Sequence, residues 1–148
     1  MAITTKGGDT GLSNIKDSRL PKTDIVFDVL GTIDELIAHL VICQTLTKKN
    51  EFKMLVDDLS LIAAIIAGHQ TTFDQNRIKQ LEEIIFTFHH INIFSYPYND
   101  YNKSIINLTR TIARRLERVY WQYDQNHDLD HNIGIYLNRL SDYLFTFI

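Results

Sequence analysis

The chain has 148 residues, of which 45% are hydrophobic and 22% are charged, and its formal net charge is -3. This length favours one domain of ordinary size, and the composition argues against a disordered chain and against a coiled-coil rod. The acidic balance argues against non-specific binding to nucleic acid or to anionic membranes, and no apolar run reaches the roughly 18 residues that a membrane span needs.

The start of the chain and its single cysteine bear on location. The first residues lack the basic-then-apolar order of a secretory signal. Cys43 cannot form an internal disulfide, and it lies in an apolar helical run, which is typical of a buried thiol. We therefore expect a cytoplasmic protein.

The first 22 residues contain turn-forming residues and no apolar period. Gly7, Gly8 and Gly11 lie among small polar residues, and a flexible backbone of this kind can approach a ligand closely. The glycine spacing differs from that of a Walker loop. The segment is either a phosphate cradle or a frayed terminus, and the single domain divides into this N-terminal segment, 1–22, and a helical bundle, 23–148.

Five segments carry apolar residues at the helical period. They cover approximately residues 24–44, 50–67, 74–90, 100–125 and 128–148. Thr23 or Asp24 is predicted to cap the first helix, and Asp128 or Asp130 the fifth. No stretch shows the alternation of a strand. The sequence therefore predicts an all-α fold, a five-helix up-and-down bundle.

The first helix contains a glycine and two adjacent carboxylates. Gly31 costs about 1 kcal/mol relative to alanine inside a helix, so it predicts close packing by a neighbouring element. Asp34 and Glu35 do not share a helix face, which weakens a shared-proton role. A salt bridge is the expected role of Asp34.

The segment 91–101 is aromatic and polar, and it includes Phe94. Aromatic side chains on a loop either floor a pocket for a flat ligand or cap the bundle. His89 and His90 precede this segment, but no Glu-x-x-His partner pattern accompanies them. Interaction with exposed carbonyls at the helix end is their expected role.

Four arginines occur within nine residues of the fourth helix. Arg110, Arg114 and Arg118 recur every four residues on one stripe, and Arg115 lies beside them. The guanidinium group fits phosphate with two parallel hydrogen bonds, so the row could grip a chain of phosphates. The alternative is a solvated face on which Glu117 pairs with an arginine. The neighbouring stripe is apolar and consists of Leu108, Ile112, Leu116, Val119 and Tyr123.

Four sequence blocks, in this order, resemble the PduO-type ATP:cob(I)alamin adenosyltransferases. They are Thr-Lys-Gly-Gly-Asp-Thr-Gly at 5–11, Gly-Thr-Ile-Asp-Glu-Leu at 31–36, Ala-Arg-Arg-Leu-Glu-Arg at 113–118 and Asn-Arg-Leu-Ser-Asp-Tyr at 138–143. The resemblance implies a five-helix bundle that forms a homotrimer, with each active site between subunits. It also implies transfer of the 5'-deoxyadenosyl group of ATP to cob(I)alamin, release of triphosphate and a need for Mg2+.

The resemblance assigns roles to individual residues. Catalysis falls to Arg114 and to a salt bridge of Asp34 with Arg110 that joins subunits, while Phe94 lies against the lower face of cobalamin and Phe145 forms a second wall. The ATP contacts of one subunit are Thr5, Lys6, Gly7, Gly8, Ser13, Asn14 and Lys22. Those of the partner subunit are Arg114, Arg115, Glu117, Arg118 and Asn138. A cobalamin reductase or a cobalamin-dependent enzyme is implied as a further partner.

The sequence departs from the family pattern at several positions. They are Thr10, Ile37-Ala38, Pro97-Tyr98-Asn99 and Asn107. The chain ends at Ile148, so the family's C-terminal extension over cobalamin is expected to be missing. Two alternatives follow, which are a nucleotide-binding relative with impaired catalysis and a structural helical trimer.

Overall fold

The computed structural model describes residues 3–69, 71–88 and 95–148. Within these ranges the chain forms five helices and one two-stranded antiparallel sheet, so the predicted five-helix bundle is confirmed. The elements are β1 Leu12–Ile15, β2 Ser18–Pro21, α1 Ile25–Thr47, α2 Glu51–Ile66, α3 Asn76–Thr87, α4 Tyr101–Asp124 and α5 His131–Phe145. In the described part of the chain, no helix is long and apolar enough to cross a membrane.

The hairpin β1–β2 was not predicted. Its register pairs Ser13 with Leu20 and Ile15 with Ser18, and Lys16 in the turn has a φ of 50°. Ile15 and Leu20 pack against the helical core. Each strand has only four residues, which is too short for an alternating pattern to be distinguished from a loop.

Aspartates cap three of the helices. Asp24 accepts a hydrogen bond from the backbone N–H of Val26 at 3.0 Å, and Asp130 accepts one from Asn132 at 2.9 Å. Asp100 caps α4 in the same way. Of the predicted alternatives, Asp24 and Asp130 are therefore the caps, because their side-chain oxygens satisfy backbone donors that the first turn leaves unpaired.

The helices pack in the order α2, α1, α4, α5, α3 across the bundle. Aliphatic and aromatic side chains from all five helices fill the core. Its largest fully buried members include Tyr120, Tyr136, Tyr143, Phe52, Leu36 and Leu116. Trp121 of α4 lies against Gly134 of α5, where a Cβ atom would be 2.3 Å from the indole ring. The indole thus packs directly on the α5 backbone.

Some residues that lie on the apolar stripes of the predicted helices are exposed. Leu108 is 48% exposed, and Ile84 and Phe88, which fit the apolar period of the third helix, are 39% and 43% exposed. The inward stripe of α4 consists instead of Ile106, Thr109, Ile112, Ala113, Leu116 and Tyr120. The packing predicted at Gly31 is also wrong within one chain, because no atom of another described element lies within 4 Å of a Cβ atom there.

A buried charged cluster joins α2, α3 and α5. Asp58 is 1% exposed and forms an ion pair with Arg77, and it accepts a hydrogen bond from the Tyr136 hydroxyl at 2.7 Å. Burial raises the pKa of Tyr136, so this hydroxyl stays protonated and donates. The cluster fixes α3, which otherwise packs on α5, to α2 as well.

Candidate active site

The N-terminal segment forms a small cavity of about 240 Å³, here called the cradle. Five of the predicted ATP contacts line it, together with Leu12 and Arg19. These five are Thr5, Gly7, Gly8, Ser13 and Asn14. Arg19 closes one side because its guanidinium donates to the Gly7 carbonyl at 3.0 Å. This residue was missed in the sequence, since a single arginine after a turn carries no periodic signal.

Lys22 reaches the cradle across Gly8. A Cβ atom at Gly8 would lie 2.7 Å from Lys22 Nζ, so the absence of a side chain leaves room for the lysine. The backbone N–H of Lys22 donates to the Gly11 carbonyl at 2.8 Å. Lys6, the remaining predicted contact, has an exposed side chain and a left-handed backbone with a φ of 56°. Backbone hydrogen bonds therefore hold the segment in turns that present Lys6 and Lys22, which favours the cradle over the frayed terminus.

The arginine row lies on the outer face of α4. The side chains of Arg114, Arg115 and Arg118 are exposed. Arg115 forms an ion pair with Glu35 of α1, in which the two side chains are 45% and 43% exposed. Arg118 donates to the Arg114 carbonyl at 3.3 Å. An exposed pair such as Arg115 with Glu35 contributes roughly 0.2–1 kcal/mol, so a bound anion could replace it at low cost.

Arg110 is less exposed than the rest of the row. Its Nε donates to Asn107 Oδ1 at 3.0 Å. Burial lowers the pKa of Arg110, and the positive charge of Arg114 lowers it further, while Tyr96 and Asp142 act in the opposite direction. A further carboxylate close to Arg110 would favour its charged form.

Glu117 and Asn138 are brought together. Asn138 Nδ2 on α5 donates to Glu117 Oε1 on α4 at 2.9 Å. The hydrogen bond found for Glu117 thus comes from an amide, and not from an arginine as the solvated-face alternative expected. It joins two of the predicted ATP contacts and places α5 beside the arginine row.

A second cavity, of about 440 Å³, opens between the end of α3 and the end of α5 and is here called the aromatic cavity. Phe145, a predicted cobalamin contact, forms part of its wall. The other lining residues are Ile85, Phe86, Phe88, Arg139, Asp142 and Thr146. Phe86 is 75% exposed and was missed in the sequence, because it lies outside the apolar stripe of α3. Phe94 lies outside the described residues.

Asp34 and the histidines of the described part of the chain line neither the cradle nor the aromatic cavity. Asp34 is exposed on α1, and its predicted bridge to Arg110 belongs to a contact between subunits, so it stays a prediction. Among the described residues, no group of three or more His, Cys, Asp or Glu side chains is placed to hold a metal ion. His89 and His90 lie outside the described residues.

The fold defines a class of protein, a helical bundle that carries a polar cradle, an exposed arginine row and a separate aromatic cavity. The chain belongs to the cobalamin adenosyltransferase family, whose family model matches residues 3–148.

Individual relatives agree with this family. The corrinoid adenosyltransferase MMAB of Mus musculus is 30% identical over 97% of this chain and 70% of its own length. A corrinoid adenosyltransferase of Citrobacter freundii is 29% identical over 97% of this chain and 91% of its own. A variant PduO-type ATP:corrinoid adenosyltransferase from Lactobacillus reuteri, complexed with cobalamin and ATP, superposes with a TM-score of 0.90 at 27% identity, covering 98% of this chain and 88% of that one.

Proposed function

We propose that this chain transfers the 5'-deoxyadenosyl group of ATP to the cobalt of cob(I)alamin and releases triphosphate. The cobalt lone pair forms the bond to the 5' carbon, and the bond from that carbon to the phosphate oxygen breaks, with its electrons leaving on triphosphate. Cob(I)alamin is itself the nucleophile, so the protein aligns the substrates and stabilises the growing negative charge. The observation that carries the proposal is the family match over residues 3–148, which include all three parts of the site.

We propose that ATP binds between two subunits of a homotrimer. The cradle is lined by residues of the N-terminal segment alone, and Arg114 and Arg118 are exposed on α4. In the proposed complex, the cradle and Lys22 of one subunit hold the nucleotide while the arginine row, Glu117 and Asn138 of the next subunit hold it from the other side. The exposure of Lys22, Arg114 and Arg118 supports an arrangement in which a ligand and a second copy cover them.

Arg114 is the proposed stabiliser of the departing triphosphate. Its neighbour Arg110 is partly buried and close to Arg114, and both conditions work against its positive charge. A salt bridge from Asp34 of an adjacent subunit would offset this cost. In this proposal the bridge between Asp34 and Arg110 forms only when the trimer assembles, so the arginine row has its full set of partners only in the trimer.

The aromatic cavity is proposed to take part of the corrin ring. The cavity has an apolar wall formed by Phe145, Phe86 and Ile85. Contact with a large flat apolar ligand is more favourable for such a wall than contact with water. Phe94 is proposed as the ring that excludes a ligand from the lower axial position of cobalt, on the basis of the resemblance. This exclusion would favour the four-coordinate cob(II) state, from which reduction is easiest.

Mg2+ is proposed to enter with ATP. Mg2+ usually binds through phosphate oxygens, waters and one or two carboxylates, and Glu117 is the carboxylate that α4 offers beside the arginine row. When bound, the ion supplies charge neutralisation on the triphosphate. We also propose a cytoplasmic location. A cobalamin reductase is a proposed partner because cob(I)alamin must be supplied by a reductant, and a cobalamin-dependent enzyme is a second proposed partner.

Two binding measurements test the proposal. ATP at about 100 times its dissociation constant should stabilise the fold by about 2.7 kcal/mol and raise the melting temperature by roughly 5–10 °C. The absorbance of cob(II)alamin should change on titration with protein and ATP. ATP protection without any corrinoid signal would favour a nucleotide-binding relative, and the absence of both would refute the proposal.

A further inference from the structure

A chain of hydrogen bonds runs from the arginine row towards the aromatic cavity. It begins at Glu117 on α4, which accepts from Asn138 Nδ2 at 2.9 Å. Asn138 Oδ1 accepts in turn from a terminal nitrogen of Arg139 at 2.9 Å. Arg139 Nε donates to Glu82 Oε1 on α3, also at 2.9 Å. Three helices are thus joined through four side chains.

The chain defines the orientation of the Asn138 amide. Its nitrogen faces an acceptor-only carboxylate, and its oxygen faces a donor-only guanidinium. Reversing the amide would place its oxygen against the Glu117 carboxylate and its nitrogen against the Arg139 guanidinium, so acceptors would face acceptors and donors would face donors. Arg139 therefore holds Asn138 in the orientation in which the amide reaches Glu117.

The same arginine is part of the aromatic cavity. Arg139 lines the cavity directly, whereas Glu82 does not. Ile85 and Phe86 follow Glu82 by three and four residues, so they lie one turn further along the same side of α3. The bond between Arg139 and Glu82 thus connects Arg139 to the turn of α3 that precedes these two wall residues.

We propose that Arg139 is a positioning residue that couples the two substrate sites. Through Asn138 it responds to a nucleotide bound at Glu117, and through Glu82 it sets the position of the α3 wall of the aromatic cavity. The inference rests on the proposed function, because it assigns ATP to the first region and the corrinoid to the second. Coupling of this kind is reciprocal, so each ligand changes the affinity for the other by the same factor.

The test measures the dissociation constant of cob(II)alamin by absorbance, with and without saturating ATP. Cob(II)alamin is used without a reductant, so that binding is measured in the absence of transfer. The wild-type protein should show a coupling factor of about fivefold or more. In Arg139→Lys and Glu82→Ala this factor should fall towards one. Glu82→Gln keeps an acceptor for Arg139 Nε and should retain part of it.

Glu83→Gln is the matched control, since Glu83 is the exposed neighbour on α3 and should leave the factor unchanged. The Glu82 variants separate coupling from direct contact with the corrinoid, because Glu82 does not line the cavity. If Arg139→Lys fails to fold, the Glu82 variants still show whether the bond between Glu82 and Arg139 couples the two ligands. An unchanged coupling factor in folded Glu82→Ala would overturn this inference. So would the absence of coupling in a wild-type protein that binds both ligands. Either result would leave the proposed function standing. Absence of binding of either ligand to the wild type would overturn the proposed function.

Discussion

Replacing Arg114 by lysine isolates the role proposed for the arginine row. The substitution keeps the positive charge but removes the planar pair of donors that a phosphate can accept together. The Arg114 side chain is exposed on α4, and the hydrogen bond found for this residue is accepted by its backbone carbonyl, which lysine retains. The free energy of unfolding should therefore change by no more than about 0.5 kcal/mol.

The expected effect lies in catalysis. A hydrogen bond to a charged group contributes about 1.5–3 kcal/mol. Loss of one such bond to the departing triphosphate corresponds to a decrease in turnover of roughly 10- to 150-fold, since each 1.36 kcal/mol changes a rate about tenfold. The bond strengthens as charge develops, so the dissociation constant of ATP should rise by much less.

The assay follows formation of adenosylcobalamin from chemically prepared cob(I)alamin under anaerobic conditions, with ATP varied. Arg19→Lys in the cradle is a useful comparison, because its guanidinium donates to the Gly7 carbonyl and should affect ATP affinity more than turnover. Equal losses of turnover and of ATP affinity in Arg114→Lys would indicate simple ground-state binding. An unchanged rate would remove Arg114 from the mechanism.

Three further predictions concern assembly, the corrinoid and the fold. Asp34→Ala should abolish the trimer and the activity together, as measured by sedimentation and by turnover; a fully active trimer would refute the proposed intersubunit bridge. Phe94→Ala should lose the four-coordinate cob(II) spectrum with ATP bound while Tyr98→Ala retains it, and the reverse result would assign the role to Tyr98. Gly134→Ala should lower the free energy of unfolding by about 1–3 kcal/mol through overpacking against Trp121, measured by denaturant titration; an unchanged midpoint would show that the indole moves away without cost.

The helical part of the fold was predictable because its signals are local. The apolar period placed all five helices, and side-chain oxygens ahead of Val26 and Asn132 determined where two of them begin. The short hairpin was missed because four residues per strand are not enough to show a period. Exposure at Ile84 and Leu108 was missed because a helical period identifies a stripe and not its width.

The candidate site was predictable to a different degree in each part. The glycine segment was recognisable from its composition, and the cradle gathers five of its predicted contacts. The ion pair of Arg77 with Asp58 and the bond from Arg139 to Glu82 were not predictable, because they join residues distant in sequence. Such pairs depend on how the helices pack against each other, and they cannot be predicted from the spacing of residues along a single helix. Phe86 was missed for a related reason, since a cavity wall at the end of a helix need not follow the core-facing stripe.

In the proposed function, the assembled protein brings ATP and cob(I)alamin together for transfer of the 5'-deoxyadenosyl group. The most direct test incubates the purified protein with ATP, Mg2+ and cob(I)alamin without oxygen, and quantifies adenosylcobalamin by absorbance and triphosphate by chromatography. We expect the two products to appear in equal amounts and both to require the protein. Protein-independent product, or triphosphate without adenosylcobalamin, would contradict it.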